Sequence, residues 1–271
     1  MQLVVDNLAK SFGVKTIFKN VSFMIDKGEK IGLVGVNGSG KSTLLHCLLQ
    51  NGYSDSGSVR FEAGTRVGYV EQGFGNIGSG SLWQFMMNSC PEIPEMRSRL
   101  QKLEAQAADL KPGEELDKVL DEYASVTRRY EYIDGYNYET RIKIVLNGLG
   151  FTEEVWDKPA QNFSGGQKTR ILLAAALVKS PDFLILDEPT NHLDIRMTEW
   201  LEKYLQDFKG GLLIVSHDRK FLDNVATRIL EMEGGNLQSF KGNYTKYMAQ
   251  KEIQTATLEA AYAAQQDYIA R

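Results

Sequence analysis

The stretch "KIGLVGVNGSGKS", residues 30 to 42, decides how the rest of the chain is read. Its first half is a continuous apolar run of strand length, and residues 35 to 42 fit the pattern Gly, four residues, Gly, Lys, Ser or Thr. Small residues in such a loop let backbone N–H groups close around phosphate oxygens. Lys41 then reaches the β and γ phosphates, and the Ser42 hydroxyl is placed for Mg²⁺. The following "KSTLLHCLL" has the apolar spacing of a buried helix, so the unit reads as strand, phosphate loop, helix. Gly35, Asn37, Gly38, Ser39, Gly40, Lys41, Ser42 and Thr43 are the candidate nucleotide contacts, with ATP and Mg²⁺ as the expected ligands.

Composition sets the frame around this loop. A chain of 271 residues is near the length at which one hydrophobic core stops growing, so one large domain with subdomains is as consistent as two small ones. The 42% apolar and 24% charged content, with only 6 Pro, argues against long disorder. A net charge of -4 makes the chain no polycation, so any nucleic-acid contact must come from a local patch or from a segment outside this sequence. Cys47 and Cys90 share no metal-like spacing and read as structural thiols of a reducing compartment. The start "MQLVVDNLAK" lacks a basic segment followed by an apolar one, and no apolar run approaches the roughly 18 residues that span a bilayer. A cytoplasmic protein without a membrane span is expected.

Along the chain, "LVVDNL", "NVSFMI", "SVRFE" and "TRVGYV" read as strands in the first seventy residues. From Ser81 to about Leu149 the pattern is helical. Met96, Leu100, Leu103, Ala107 and Leu110 share one face, "KPG" at 111 to 113 interrupts, and Leu116, Val119, Leu120, Tyr123, Val126 and Tyr130 share a second face. A helical hairpin with a solvated, mixed-charge face results. Helical "KTRILLAAALVKS", strand "PDFLILDEP", helical "TEWLEKYLQDF" and strand "GLLIVSHD" then alternate, and "TRILEMEGGNLQSF" reads as a hairpin turning at Gly234 and Gly235. Such alternation implies a largely parallel sheet with helices on both faces. After Gly242 the residues favour helix throughout, with Asn243 as N-cap and no C-cap signal, so a helix that continues past residue 271 is expected.

Several residues outside the loop carry chemistry. Asp187 and Glu188 end the apolar strand "FLILDE", where ligands of open α/β sheets gather. Asp187 is the candidate Mg²⁺ partner and Glu188 the group that polarises attacking water. Gln72 in "YVEQGF" and His217 in "VSHD" each follow a strand; Gln72 is assigned to Mg²⁺ and the water, His217 to the γ-phosphate. Phe12 in "KSFG" either stacks on adenine or belongs to the core. A second anion-gripping loop, "NFSGGQ" at 162 to 167, opens a helix. With the phosphates already enclosed by residues 35 to 42, its donors are useful only when they close on a nucleotide from the opposite side, held by another domain.

The phosphate loop, Gln72, "FSGGQ", "FLILDE" and His217, in that order, resemble the nucleotide-binding domain of an ATP-binding-cassette protein over nearly the whole chain. The resemblance implies an α/β P-loop NTPase fold with an antiparallel β subdomain and a helical subdomain at about 74–180. The cassette would occupy 1–242, followed by the start of an interdomain linker helix at 243–271. It also implies that Ser164, Gly165, Gly166 and Gln167 act in trans on a nucleotide held by a second cassette, in a longer chain or through self-association. Phe163 stands where Leu is commoner, a departure that touches packing. "SGGQKTR" at 164, "TNHLD" at 190, "SHDRKFLD" at 216 and "GNYTKY" at 242 resemble the F branch, soluble ATPases that act on ribosomes. A ribosome and its RNA, reached through the linker, are the partners this implies, in translation control or antibiotic protection. The ATPase subunit of an ABC transporter is the alternative. DNA-repair relatives carry long coiled coils inside the cassette, and the hairpin here is too short for one.

Overall fold

The chain builds strands of two kinds, some with an interrupted alternation of buried and exposed residues and some that are unbroken apolar runs. The computed structural model describes residues 1–50, 52–70, 77–78 and 80–270. The first part holds β1 (Leu3–Phe12), β2 (Lys15–Ile25), β3 (Lys30–Val34), α1 (Lys41–Leu49), β4 (Ser56–Phe61) and β5 (Val67–Val70). Helices α2 (Leu82–Met87), α3 (Glu92–Asp109), α4 (Glu114–Tyr132), α5 (Tyr138–Gly148) and α6 (Gly165–Val178) follow. The remainder is β6 (Phe183–Asp187), α7 (Ile195–Asp207), β7 (Gly211–Val215), α8 (Arg219–Val225), β8 (Arg228–Glu233), β9 (Asn236–Lys241) and α9 (Tyr244–Ala270). Two compact units result: Met1–Gln72 with Pro181–Asn191 and Glu202–Arg271, and Gly73–Ser180 with His192–Leu201.

The first unit contains two sheets. One is three-stranded and antiparallel, in the order β2-β1-β4; the other is six-stranded, in the order β5-β6-β7-β3-β8-β9, and parallel except where β9 returns along β8. Every residue of β6 and β7 is buried, as strands covered on both faces require. Ile31, Leu33, Ile185, Leu213 and Leu230 join Leu44, Leu45 and Leu48 of α1 and Leu3, Phe18 and Val21 of the small sheet in one core. On the opposite face α8 comes close: a Cβ at Gly32 would stand 2.8 Å from Ile229 Cδ1 and 3.0 Å from Leu222 Cδ2. Glycine is what lets helix and sheet meet there.

Strand order places the site. Val215 at the end of β7 pairs with Leu33 on one side and Asp187 on the other, so the loops after β3, β6 and β7 leave from the same, carboxyl, end of the parallel strands. The β8–β9 hairpin turns at Gly234 and Gly235, both left-handed at φ 57 and 78, which a two-residue hairpin turn of this hand demands. Asn243 Oδ1 accepts from the Lys246 amide at 3.3 Å, as expected of a cap on α9. The first turns of α9 are fastened to β8: Tyr247 Oη donates to Glu231 Oε1 at 2.7 Å, and Lys251 Nζ to Glu231 Oε2 and Glu233 Oε2, each at 2.6 Å.

The second unit is helical. Ser81 caps α2 in a reciprocal pair with Gln84. Leu100 and Leu103 of α3 and Tyr130 of α4 are buried in the hairpin, whereas Leu120, which periodicity puts on the covered face of α4, is 48% exposed. A helix with a single antiparallel neighbour covers only the positions aimed at that neighbour. The Tyr138 hydroxyl accepts from the Cys90 amide at 3.1 Å and donates to Met86 O at 2.7 Å, tying α5 to the end of α2. Cys47 and Cys90 are both free thiols. Among the described residues no helix is long and apolar enough to cross a membrane.

Gly148 tests the packing of this unit, because a Cβ there would lie 2.0 Å from Trp200 Cε2. Helix propensity alone makes Ala better than Gly by up to about 1 kcal/mol, but an overpacked ring costs about 1–3 kcal/mol. Gly148→Ala is therefore expected to lower stability by about 1–2 kcal/mol in urea unfolding, with the midpoint shifted and the slope kept.

Candidate nucleotide site

The phosphate loop rests on bare backbone contacts. A Cβ at Gly35 would lie 2.4 Å from Met232 O on β8, and one at Gly40 would lie 2.6 Å from Ile17 Cγ2 on β2; both glycines have positive φ, 154 and 105. Lys41 begins α1 and is 8% exposed, and its Nζ donates to the carbonyls of Gly35 at 2.8 Å and Val36 at 3.1 Å. Burial pushes the Lys41 pKa down, against the opposing pull of the Glu188 and Asp187 carboxylates. Ser39 Oγ is buried with no hydrogen-bond partner. A desolvated ammonium at the head of such a loop suits an incoming anion.

The two acids stand where β6 ends. Asp187 is 6% exposed, and the chain then turns through Glu188 at φ 50, a left-handed conformation that costs a non-glycine residue on the order of 1–3 kcal/mol. The Glu188 amide holds that turn by donating to Val215 O at 2.8 Å. Its carboxylate faces His217: Oε2 accepts from the His217 amide at 3.2 Å, and Oε1 is 3.5 Å from His217 Nε2, too long for a hydrogen bond, so Oε1 is buried and unpartnered. Asp218 caps α8 by accepting from the Phe221 amide at 3.0 Å, which leaves His217 on the short link between β7 and α8 with a side chain 59% exposed.

These elements enclose a cavity of about 530 Å³ lined by Ile17, Asn37, Gly38, Gly40, Lys41, Ser42, Thr43, Asp187, Glu188, Asn191, Val215 and His217. Nine of these are residues expected from the sequence. Gly35 and Ser39 are not among the lining residues. Phe12 is outside the lining and is 50% exposed at the end of β1, so it is not a core residue. Gln72 lies outside the described residues. Ile17, Asn191 and Val215 carried no signal as site residues, because strand pairing and the turn after Glu188 bring them in; the Asn191 amide donates to Glu188 O at 3.2 Å.

Among the described residues no group of three or more His, Cys, Asp or Glu side chains could hold a metal. Mg²⁺ needs no such group, since it keeps waters and takes one or two carboxylates together with phosphate oxygens. Ser42 and Asp187, both on the cavity wall, are a donor set of that kind.

The "NFSGGQ" loop belongs to the helical unit. Ser164 Oγ accepts from the Gln167 amide at 3.4 Å and Gln167 Oε1 accepts from the Ser164 amide at 2.9 Å, a reciprocal cap that starts α6. A Cβ at Gly166 would come within 3.2 Å of the His192 side chain, so the loop runs tight against His192.

The chain is similar to known proteins over most of its length. Residues 18–191 match a family model described as ABC transporter, and residues 230–271 match a second model of the same description. ABC transporter F family member 2 of Arabidopsis thaliana is 38% identical over 263 residues, covering 96% of this chain and 38% of that protein. The tylosin resistance ATP-binding protein TlrC of Streptomyces fradiae is 34% identical over 261 residues, covering 96% of this chain and 48% of that one. A solved ATP-binding subunit of an ABC transporter superposes with a TM-score of 0.67 at 19% identity, over 97% of this chain and 99% of its own, and shares the fold. The chain spans about half the length of the curated relatives it matches.

Gly40→Ala would place a methyl group against Ile17 and force an L-residue into a left-handed conformation. The variant is expected to bind ATP about 10-fold or more weakly in calorimetric titration while keeping its far-ultraviolet circular dichroism. Wild-type affinity would mean that the loop can shift without loss.

Proposed function

The chain belongs to the ATP-binding-cassette family of ATPases, and from that premise we propose that it is one cassette of an F-branch protein that closes on ATP with a second cassette and opens on hydrolysis, acting on ribosomes. The observation that carries the hydrolytic reading is the meeting of Lys41, Ser42, Asp187, Glu188 and His217 on one cavity wall. Glu188 is the general base: its buried, unpartnered Oε1 accepts the proton of a water as that water attacks the γ-phosphorus. The bond from the γ-phosphorus to the bridging oxygen breaks, and ADP and phosphate leave. His217 orients the γ-phosphate, and Lys41 with the loop amides holds the β and γ oxygens. Mg²⁺, when bound, supplies charge neutralisation at the phosphates; Ser42 and Asp187 would hold it, with Gln72 assigned from sequence alone.

Ser164, Gly165 and Gly166 are proposed to complete the site of the opposing cassette, with Gln167 keeping the Ser164 loop capped. The 271-residue chain alone is then a weak ATPase, since half of each site comes from a partner. The ribosomal part of the proposal is supported by likeness over 96% of the chain to an F-family member and to a tylosin resistance protein. It is also supported by "GNYTKY" leading into α9.

Glu188→Gln is expected to leave ATP affinity within about threefold while slowing hydrolysis by roughly 100-fold or more in a phosphate-release assay. In the longer parent protein the same substitution should give ATP-dependent cosedimentation with ribosomes. Unchanged turnover would remove Glu188 from its role. Copurification with a membrane subunit and no ribosome binding would favour the transporter reading.

A further inference from the structure

The end of β1 carries a group of side chains that the phosphate chemistry leaves unexplained. Phe12 is half-exposed, yet its ring is not isolated: Lys10 Nζ lies over it at 5.3 Å from the centroid, and Tyr53 meets it at 6.4 Å with an interplanar angle of 68°. The same ammonium is 4.7 Å from the Tyr53 centroid, and it therefore fills the corner between two rings set edge to face. Asp55 fixes the arrangement from below, accepting from Lys10 Nζ at 2.9 Å and from the Ser11 amide at 2.6 Å, while its own amide donates to Ala9 O at 2.9 Å. Three consecutive residues leading to Phe12 are thus bound to one carboxylate residue on the loop after α1. The hairpin they belong to is also the one that supplies Ile17 to the cavity wall, with Phe12 opposite Lys15 and Ser11 opposite Thr16.

An exposed phenylalanine at a hairpin end samples several rotamers, and a ring must be held before it can serve as a stacking platform without an ordering cost. A cation over one face, held there by a carboxylate, and an aromatic edge at the side supply that restraint.

We propose that Lys10, held by Asp55, is a positioning residue for base recognition: together with Tyr53 it fixes the Phe12 ring so that the open face of the ring takes the base of a purine nucleoside triphosphate. The inference rests on the reading that Phe12 stacks on the base of an ATP bound at the phosphate loop. Lys10 touches the ring and not the nucleotide.

The test compares ATP with inorganic tripolyphosphate, which offers the phosphates without a base, by calorimetric titration of the 271-residue chain. Phe12→Ala is expected to weaken ATP binding about 10-fold or more. Lys10→Met is expected to weaken ATP about 3- to 10-fold and to leave tripolyphosphate binding as in the wild type. The double variant should be no weaker than Phe12→Ala alone, and Lys10→Arg, which keeps a cation over the ring, should bind ATP within about twofold of wild type. Asp55→Asn provides a second route to the same loss should Lys10→Met fold poorly. Wild-type ATP affinity in both Lys10→Met and Asp55→Asn, beside a weakened Phe12→Ala, overturns the positioning role and leaves base stacking standing. Equal losses for ATP and tripolyphosphate in Lys10→Met overturn it as a general loop effect. Wild-type ATP affinity in Phe12→Ala removes base stacking and this inference with it.

Discussion

The chemistry of the first unit depends on backbone lying closer to its neighbours than any side chain would permit. At Gly35 the loop touches the Met232 carbonyl, and at Gly40 it touches Ile17. Those two contacts, one from each sheet, draw the loop down onto the core and bury the ammonium of Lys41 against the carbonyls of its own loop. An ammonium so desolvated interacts with nearby anions far more strongly than one in water, and Asp187 and Glu188 are close enough to oppose the fall in its pKa. Bare glycine surface is thus what gives a lysine on a short helix its electrostatic leverage.

The parallel sheet supplies the rest. With β3 between β7 and β8, and Val215 in register with both Leu33 and Asp187, three loops leave the carboxyl ends of neighbouring strands within reach of one another. The strained backbone of Glu188 sits at that end of the sheet, held by the Val215 carbonyl, and this is where a rigid sheet can sustain a conformation that an isolated loop would relax.

What could be read from the sequence follows from the range of the physical cause. The phosphate loop, Asp187, Glu188 and His217 announce themselves through neighbours a few positions away, and the fold supplies the strand and turn each of them needs. The hairpin at Gly234 and Gly235 was legible for the same reason, since a two-residue turn of this hand needs positive φ at both positions and adjacent glycines between two strand-forming runs adopt it without steric cost. Ile17 and Val215 were silent because the packing of Ile17 on Gly40 and the pairing of Val215 with Leu33 and Asp187 leave no mark on the residues beside them in the sequence. The cap between Ser164 and Gln167 carries a local sign, Ser followed three residues later by Gln, which anion-binding chemistry alone does not account for. Phe12 was open between stacking and core, and its exposure removes the core alternative.

The fastening of α9 to β8 turns angle into distance. Because Tyr247 and Lys251 hold the root of the helix to Glu231 and Glu233, the first turns cannot swivel independently of the strand that supports the phosphate loop. A helix of 27 residues extends about 40 Å, so a tilt of about 5° at the root displaces the far end by about 3–4 Å. A pointer of that length, rooted on the strand that backs the phosphate loop, converts a small tilt into a large displacement by geometry alone.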